Sequence, residues 1–447
     1  MESLWRKQTK EIKGKLENTL SENAHLDVIV IGAGMAGILI AFFLKEQGKK
    51  VLVLEANTIA SGQTEGTTAK ITSQHNVKYG RLIADIGVEN ARLYARANEK
   101  AIKEYERVIK EQGIECEFKR CPAFLYTMED ETELIEEAMY ASSFGIDAYF
   151  TKETELPFPV TGAVCFKKQA QFQPLSFIKH LAKELDIKEH TKVTKIKGHQ
   201  VIAEHESYWA KNIVVATHYP IKDIPGFYFL RQHQERSYVL ALSGCQKIEG
   251  MYLGVDDMGL SFRQAGDFLL LGGAGHRTGD NTCGGIYKML YDKAKTYYPN
   301  CKVEAQWSAQ DCMPHDELPF IGQYSVFSPH LYVATGFQKW GMTSSMIAAQ
   351  IIRDAICGYE NKYASVFSPQ RMNVKAGFKN LMKDIAISIE GLLQGLIIGK
   401  APRCSHMGCE LKWNPDENTW ECGCHGSRYD ENGNILSGPS TKEYRKE

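Results

Sequence analysis

The sequence predicts an α/β protein with a large mixed region and a small cysteine-rich unit at its C-terminal end. An apolar strand, a glycine turn, an apolar helix and a second strand follow one another from Val28 to Ala56. Apolar and β-branched runs broken by glycine between Arg236 and Leu271 predict a mainly antiparallel sheet. Four of the twelve cysteines lie between Cys404 and Cys424, and this crowding indicates metal ligation.

The composition excludes several classes of protein. The 447 residues include 53 Lys and Arg against 54 Asp and Glu, a formal net charge of −1, which gives no electrostatic basis for binding nucleic acid. Hydrophobic residues make up 43% and charged residues 24%, as in folded proteins. The first 25 residues contain no apolar run of the length that an export signal needs, and the uncharged run Val28–Leu44 contains glycines at its start. We therefore expect a cytoplasmic protein of about two or three domains, without a membrane span or a nucleic-acid partner.

The first motif is a glycine-rich turn that follows a strand. Residues 32–37 read G-A-G-M-A-G, and glycine at the fixed positions allows a tight turn and the close approach of a pyrophosphate to the N–H groups at a helix start. An acidic residue ends the second strand about 20 residues on, where a carboxylate accepts the hydroxyls of an adenosine ribose. The unit predicts a dinucleotide site, leaves FAD and NAD open, and has a turn without a ligand as its alternative. The residues assigned to it are Gly32, Gly34, Met35, Ala36, Gly37 and Glu55.

Later segments resemble FAD-dependent oxidoreductases of the D-amino-acid-oxidase type. The loop from Ser61 to Lys70 resembles the segment that lies along the flavin in that family, and Leu331–Thr343 resembles its late strand and helix start. More narrowly, TTAKITSQH, GGAGHRTG and FQKWGMT resemble a bacterial group that joins this FAD domain to a C-terminal Rieske domain. The resemblance implies FAD as cofactor and a small-molecule substrate. The further flavin contacts that it implies are Ala56, Gly62, Gln63, Thr67, Thr68, Ala69, Val193, Ala216, Thr217, Gly336, Lys339, Trp340, Gly341, Met342 and Thr343.

Five polar residues of the flavin region are candidate catalytic residues. An arginine that faces the flavin would hold a substrate carboxylate, Lys70 would hydrogen-bond flavin N5 or a water beside it, and His276 would be a base or a flavin contact. The alternatives are structural: an ion pair for each arginine and a turn position for that histidine. The candidates are Lys70, His75, Arg236, Arg263 and His276.

The second motif is a pair of Cys/His loops near the C-terminal end. Residues 404–406 read C-S-H and residues 422–425 read C-G-C-H. In a Rieske [2Fe–2S] centre two thiolates hold one iron and two imidazoles the other, whereas a zinc site with the same ligand types is the alternative. The predicted ligands are Cys404, His406, Cys422 and His425. The sequences CSHMGC and CGCHGS resemble high-potential Rieske proteins, and that resemblance implies a disulfide between Cys409 and Cys424.

The predicted fold class is therefore α/β, with a FAD-binding Rossmann-like domain, an inserted antiparallel-sheet substrate domain and a small all-β Rieske-type C-terminal domain. The predicted division is an arm at 1–26, a FAD-dependent oxidoreductase domain at 27–360 with its substrate part at 91–150 and 219–305, a linker at 361–382 and a Rieske domain at 383–447. Residues 383–403 leave room for about two strands before the first ligand loop, so we expect that domain to be shortened on its N-terminal side.

Together these motifs predict a flavin-dependent dehydrogenase. A small amine or amino acid would lose a hydride to the flavin, and the cluster would pass electrons singly to an external partner, either a ferredoxin-like protein or a quinone. Two alternatives stay open. One is a reductase that runs in reverse from an external donor, and the other is a non-catalytic electron carrier or redox sensor.

Overall fold

The structure is a computed structural model that describes residues 2–9, 11–15, 25–204, 206–222, 224–257, 259–371, 373–397 and 401–444. Residues 16–24 of the predicted N-terminal arm lie outside this described part. Its helices are α1 (Leu4–Gln8), α2 (Met35–Glu46), α3 (Gln63–Gly66), α4 (Tyr79–Glu111), α5 (Thr132–Ser143), α6 (Pro174–Ala182), α7 (Ile286–Tyr297), α8 (Gly341–Cys357), α9 (Ala364–Phe367) and α10 (Val374–Ile397), with a 3-10 helix at Tyr228–Leu230.

The strands fall into three sheets. In the first half of the chain they are β1 (Leu26–Ile31), β2 (Val51–Leu54), β3 (Lys70–Ile71), β4 (Lys119–Thr127), β5 (Ala148–Thr151), β6 (Gly162–Gln171), β7 (Asp186–Lys188), β8 (Val193–Lys197), β9 (Gln200–Ala203) and β10 (Ser207–Val215). In the second half they are β11 (Gln232–Ser243), β12 (Met251–Gly254), β13 (Ser261–Ala265), β14 (Phe268–Arg277), β15 (Lys302–Pro314), β16 (Phe320–Gln323), β17 (Leu331–Thr335), β18 (Lys412–Asn414), β19 (Thr419–Glu421), β20 (Arg428–Tyr429) and β21 (Ile435–Ser437).

The first sheet contains the parallel strands that the glycine motif predicts, with antiparallel pairings at β16–β17 and at β8, β9 and β10. Its strand order is β16-β17-β10-β1-β2-β7, with β8 and β9 attached to β10, and β1 pairs in parallel with both β2 and β10. The four residues of β2 and the helix residues from Met35 to Leu44 are all buried, which explains why both segments are apolar throughout rather than amphipathic. Since parallel strands end at the same edge of a sheet, the ends of β1, β2 and β10 meet at the glycine turn.

The second sheet is mainly antiparallel, as the glycine-broken runs predict. It has nine strands in the order β15-β11-β14-β13-β12-β4-β6-β3, with β5 paired to β6. The pairing of β12 with β4 is parallel, and it joins the earlier strands to the later ones. Strands β11 and β15 pair over their whole length and form one end of this sheet, which is where the C-terminal unit packs.

The C-terminal unit is a small antiparallel sheet preceded by a long helix. Strands β18–β21 form four neighbouring strands, and Cys404, Cys409, Cys422 and Cys424 are buried among its core residues. Where the sequence leaves room for about two strands, at residues 383–403, the structure has α10 over most of the segment, and this helix also covers the end of the predicted linker. A 24-residue helix needs no sheet partner for its backbone, because its hydrogen bonds are internal. Among the described residues, no helix combines the length and apolar character that crossing a bilayer requires.

Candidate functional site

The glycine turn lies where β1 ends. Gly32 has a φ of +105°, and a Cβ on it would lie 2.6 Å from the carbonyl oxygen of Ala216. A Cβ on Gly37 would lie 1.9 Å from the Gly32 oxygen. Both positions therefore require glycine, and they bring the start of α2 against the strand ends so that its N–H groups face outward.

Glu55 closes this turn from the end of β2. Its Oε2 accepts a hydrogen bond from the Ala33 N–H at 2.8 Å, and its Oε1 accepts one from the Asn57 N–H at 2.9 Å. The carboxylate is held at the mouth of the turn, in the position that the motif predicts for contact with a ribose.

A cavity of about 1030 Å³ opens at this edge and is lined by residues from both large sheets. It brings together most of the predicted flavin contacts: Gly32, Gly34, Met35, Ala36, Glu55, Ala56, Gly62, Gln63, Thr67, Thr68, Val193, Ala216, Thr217, Gly336, Lys339, Trp340, Gly341 and Met342. Gly37, Ala69 and Thr343 lie behind that lining. A cavity of this size, with a glycine cradle at one end that side chains would fill, fits a bound FAD.

Two of the five candidate catalytic residues also line the cavity. Lys70 donates from Nζ to the Tyr252 carbonyl at 2.8 Å and to Ser261 Oγ at 2.6 Å, and burial, with help from the charge of Arg263, lowers the pKa of Lys70 to about 7. Complete burial lowers the pKa of His75 to about 3, so this imidazole is neutral at pH 7.

His75 is held in one tautomer. Its Nε2 donates to the Thr72 carbonyl at 2.7 Å, since a carbonyl can only accept, and its Nδ1 therefore accepts from the Tyr94 hydroxyl at 2.6 Å. The ring stacks on Trp340 with the centroids 4.6 Å apart. His75 thus supports the tryptophan that lines the cavity.

The other three candidates lie outside the lining. Arg263 is buried behind the Thr67–Lys70 loop, where it donates to Gln171 Oε1 at 2.9 Å and to the carbonyls of Thr68 and Phe172. Its guanidinium also lies over the Trp5 ring, 5.0 Å from the centroid. These contacts occupy the guanidinium N–H groups that a substrate carboxylate would need. The geometry therefore does not support a carboxylate-binding role for Arg263, and that role stays a prediction.

Arg236 and His276 face the C-terminal unit. Arg236 donates from Nη2 to Ser308 Oγ at 2.5 Å and to Glu417 Oε2 at 2.8 Å, which makes it an interdomain ion-pair residue. His276 bonds the Arg277 carbonyl at 2.7 Å and lies 3.2 Å from the Tyr238 hydroxyl. Their catalytic roles stay predictions that the cavity geometry does not support.

One cavity residue that sequence reasoning missed is Asp311. Burial raises the pKa of its carboxyl to about 7, and the nearby charge of Glu235 adds to the rise. Asp311 alternates along β15 with Gln310 and faces the cavity beside Ala309 and Met313. The sequence predicted no strand over residues 302–314, so the alternation that places Asp311 on the cavity face could not be recognised from it.

The strands β11 and β15 lie between the cavity and the second ligand loop, while residues 435–441 and part of α10, both in the C-terminal unit, line the cavity itself. On β11, His233, Glu235 and Ser237 line the cavity, whereas the intervening Gln234 and Arg236 bond residues of the C-terminal unit. Successive strand residues point to opposite faces. A single sheet therefore carries part of the cavity lining on one face and holds the second ligand loop on the other.

Three side chains from this sheet bind the second ligand loop, and we call them the carbonyl clamp. Arg277 donates to the carbonyls of Gly423 at 2.7 Å and Cys424 at 3.0 Å. The next two carbonyls are bound by two glutamines. Gln234 donates to the carbonyl of residue 425 and Gln310 to that of residue 426, both at 2.7 Å. Four consecutive carbonyls of the loop are thus fixed by the sheet that borders the cavity.

The two predicted ligand loops have the same backbone turn. The Gly408 N–H donates to the Cys404 carbonyl and the Gly426 N–H to the Cys422 carbonyl, each at 2.9 Å. Both glycines have positive φ, +93° and +81°, which lets the chain reverse directly after the ligand positions. The geometry is that of two equivalent loops that face each other.

The predicted ligands converge between these loops. The Cys404 and Cys422 side chains are buried and lie within hydrogen-bonding distance of each other, and the rings of His406 and His425 are 5.1 Å apart and nearly perpendicular. Two thiols and two imidazoles at one place are the donor set of a Rieske cluster, which these residues therefore fit. Phe229, from the 3-10 helix, packs against both rings with centroid distances of 6.2 and 5.9 Å, so the histidine edge faces the FAD-binding part of the chain.

The remaining cysteine pair lies next to the ligands. The Sγ atoms of Cys409, Cys422 and Cys424 all lie within 4.8 Å of one another. Cys409 and Cys424 are free thiols in this structure, so the disulfide stays a prediction. The Tyr429 hydroxyl lies 3.4 Å from Cys404 Sγ, where a hydroxyl donor would stabilise a reduced cluster.

Comparison with known families assigns both parts of the chain. Residues 27–355 match the model described as FAD dependent oxidoreductase, and residues 375–446 match the Rieske [2Fe-2S] domain. The protein YhfW of Bacillus subtilis (strain 168) is 33% identical to this chain, and the alignment covers 95% of this chain and 93% of YhfW.

Solved structures share the fold of the larger part. Glycine oxidase from Geobacillus kaustophilus aligns with a TM-score of 0.65 at 18% identity, over 78% of this chain and 99% of that one. L-proline dehydrogenase from P. horikoshii aligns with a TM-score of 0.64 at 16% identity, over 78% of this chain and 97% of that one. Both similarities concern the fold of the larger part of the chain, which contains the cavity.

Proposed function

Because this chain belongs to the FAD dependent oxidoreductase family and carries a Rieske [2Fe-2S] domain, we propose that it is a dehydrogenase of small amines or amino acids that passes its electrons to its own cluster. Bound FAD would accept a hydride from the substrate carbon beside nitrogen, and a bound cluster would transfer single electrons to an external partner. The chain's own residues position both groups.

The shared sheet is the observation that carries this proposal. Its β11–β15 end lines the FAD cavity on one face and binds the second ligand loop through the carbonyl clamp on the other. Residues 435–441 of the C-terminal unit also line this cavity, so the two sites adjoin each other. Phe229, from the FAD-binding part of the chain, packs against the rings of both histidines that would hold the cluster.

The cavity residues are suited to binding a small amine. Lys70 is buried with a pKa of about 7, and Asp311 also has a pKa of about 7, so near neutral pH either group can hold or release a proton. An ammonium substrate must lose a proton before its carbon can release a hydride, and a group of matched pKa is the efficient acceptor for it. We assign proton acceptance to Asp311 and the orientation of the substrate's polar end to Lys70.

The fold neighbours support amines as the substrate class. Glycine oxidase and L-proline dehydrogenase, by their names, act on a primary and a secondary amino acid. The proposal extends that class to this chain, with the cavity between the two sheets as the place where the substrate meets the flavin.

An anaerobic substrate screen tests the proposed function. Holoenzyme is mixed with glycine, L-proline and simple primary and secondary amines, while the flavin absorption band and the EPR signal of the cluster are followed. We expect at least one compound to bleach the flavin and then produce the reduced-cluster signal. A flavin that no amine reduces, but that a reduced ferredoxin reduces through the cluster, would contradict the proposal and favour an electron carrier.

A further inference from the structure

Residues 2–9 of the N-terminal arm pack behind a loop that lines the flavin cavity. These residues lie outside the segment 27–355 that matches the FAD dependent oxidoreductase family. Even so, Leu4 and Trp5 of α1 are buried in the same hydrophobic core as α2, and Trp5 is only 1% exposed. Chain termini are ordered in this way when specific contacts hold them, so the contacts of Trp5 indicate what the arm does.

Trp5 binds the backbone of the cavity loop directly. Its indole Nε1 donates a hydrogen bond to the Thr67 carbonyl at 2.6 Å. The preceding carbonyl of the loop accepts a hydrogen bond from Trp307 Nε1 at 2.9 Å, and the following carbonyl accepts one from Arg263. Three consecutive carbonyls are therefore fixed by side chains that lie behind the loop, and one of these side chains belongs to the arm.

Arg263 joins the arm to the loop a second time. Its guanidinium lies over the Trp5 ring, 5.0 Å from the ring centroid, while the same group donates to the Thr68 carbonyl. A cation over the face of an indole is attracted by the ring, and more strongly where both groups are desolvated. Both side chains are buried, so the tryptophan holds in place the arginine that fixes the next peptide group.

The front of the same loop faces the cavity. The residues of this segment that line it include Gly62, Gln63, Thr67 and Thr68. Thr67 therefore contacts the arm through its carbonyl and borders the cavity as well. Its Oγ1 accepts a hydrogen bond from the Ala69 N–H at 2.9 Å, which fixes the direction of the side chain. A loop that is held in this way before a ligand binds does not have to be ordered by the ligand.

Two further contacts hold the arm in place. Arg6 Nε donates to Glu65 Oε2 at 2.8 Å, in an ion pair that is partly exposed. Gln173 Nε2 donates to Thr9 Oγ1 at 2.6 Å, and both of these side chains are buried. Glu65 belongs to α3, which leads directly into the cavity loop, so the arm is tied both to the loop and to the helix before it.

We propose that the N-terminal arm is part of the FAD site and that Trp5 is a positioning residue, which holds the cavity-lining loop through the Thr67 carbonyl. Trp5 lies behind the cavity lining, so it acts through the loop. Without the indole N–H, a buried carbonyl would lose its donor and the loop would lose its fixed position. The inference depends on FAD binding, which belongs to the family, and is independent of the substrate and of the electron acceptor.

Release of FAD from the full-length holoenzyme tests the role of the arm. The holoenzyme is diluted in steps, and released FAD is followed by the rise in flavin fluorescence. Trp5→Phe keeps an aromatic ring and removes the N–H donor, and we expect it to raise the dissociation constant of FAD about tenfold. The visible circular dichroism of the bound flavin should change too, because the loop beside it shifts. Arg6→Met removes only a partly exposed ion pair and should raise the constant about twofold.

Matched control variants separate position from residue type. Trp209→Phe changes an indole that is 48% exposed on β10, and Lys13→Met removes a cation that is 71% exposed farther along the arm; both should bind FAD as the wild type does. The EPR signal of the cluster per protein should stay unchanged in Trp5→Phe. Equal FAD affinity in the wild type and Trp5→Phe would overturn the proposal, as would a parallel loss of FAD and cluster, which would indicate general destabilisation.

Discussion

Lys70 is a buried cationic side chain whose neighbours are neutral hydrogen-bond acceptors. The Tyr252 carbonyl and Ser261 Oγ bond its Nζ, but no described carboxylate forms an ion pair with it. Burial therefore determines its charge and lowers its pKa to about 7 from 10.5. Below about pH 7 the folded protein carries an ammonium group in the flavin cavity, and above it the amine is neutral.

We predict that this change of charge is visible in the flavin spectrum. In an Asp311→Asn background, which removes the other cavity group with a pKa near 7, the flavin band of the holoenzyme should shift with an apparent pKa of about 7. A spectrophotometric titration measures it. Adding Lys70→Met should abolish the shift, and Lys70→Arg should give the acid form throughout. A step that persists after Lys70→Met would contradict the assignment.

Arg277 connects two parts of the molecule through one guanidinium group. It donates to two carbonyls of the second ligand loop and forms an ion pair with Asp384 on α10. The guanidinium is largely buried, with a side-chain exposure of 10%, so its charge is poorly screened from the loop.

Removing this charge should lower the reduction potential of the cluster. A cation beside the loop favours the reduced, more negative cluster, and a tenfold loss of that preference corresponds to about 60 mV for one electron. We expect Arg277→Met to lower the potential by about that amount in an EPR-monitored redox titration, and Arg277→Lys to restore part of it. Arg96→Met, at an exposed position of α4, is the matched control. Equal potentials in the wild type and Arg277→Met would refute the role.

The ligand residues could be predicted from sequence, whereas their supports could not. The spacings of the predicted ligands are compatible with only a few metal-binding geometries. These ligands are Cys404, His406, Cys422 and His425. Arg277 acts on a loop 146 residues away, and no local pattern announces so distant a partner. Arg236 was a candidate for substrate binding, but its residue type alone does not tell which face of β11 it occupies, and the structure pairs it with Glu417.

At the scale of elements, α10 is where sequence reasoning failed. The sequence predicted no helix at residues 383–403, and the apolar run near Leu392 gave no clear helical stripe because its glycines alternate with large residues. Only the tertiary contacts explain the glycines: Gly391 and Gly395 allow the helix to approach the cluster loops. The parallel sheet and α2 were predictable because their strand–turn–helix pattern is local.

The tight contact at Gly395 leads to a stability prediction. In Gly395→Ala the new Cβ would meet the Gly408 carbonyl at 2.6 Å, so the ligand loop or the helix must shift. Overpacking of this kind costs about 1–3 kcal/mol. We expect lower stability of the C-terminal unit in chemical denaturation followed by the cluster absorption, and a weaker EPR signal per protein.

A control on the same helix separates bulk from position. Ala386 is exposed on α10, and Ala386→Val adds side-chain volume that meets solvent instead of a loop. It should keep the wild-type cluster content. If Gly395→Ala also kept full cluster content and stability, the close packing of α10 on the ligand loops would be wrong.

At the scale of the whole molecule, one sheet connects two redox sites. The family assignments place FAD in the larger part and a [2Fe-2S] cluster in the C-terminal unit. The sequence could indicate both cofactors because each has its own motif, but it could not place them relative to each other. The relative position of the two sites depends on how side chains alternate along β11 and β15. Gln234 and Gln310 bond the second ligand loop on one face, and alternate residues of the same strands line the cavity on the other.

Electron transfer within a single chain is the central claim, and rapid-mixing kinetics test it most directly. Holoenzyme is reduced anaerobically with less than one equivalent of the amine identified by the screen, and samples are frozen at intervals for EPR. We predict that the cluster signal grows as the flavin band recovers, with a rate constant that does not change over a range of protein concentrations. A cluster that stays oxidised beside reduced flavin, or a rate that rises in proportion to protein concentration, would contradict it.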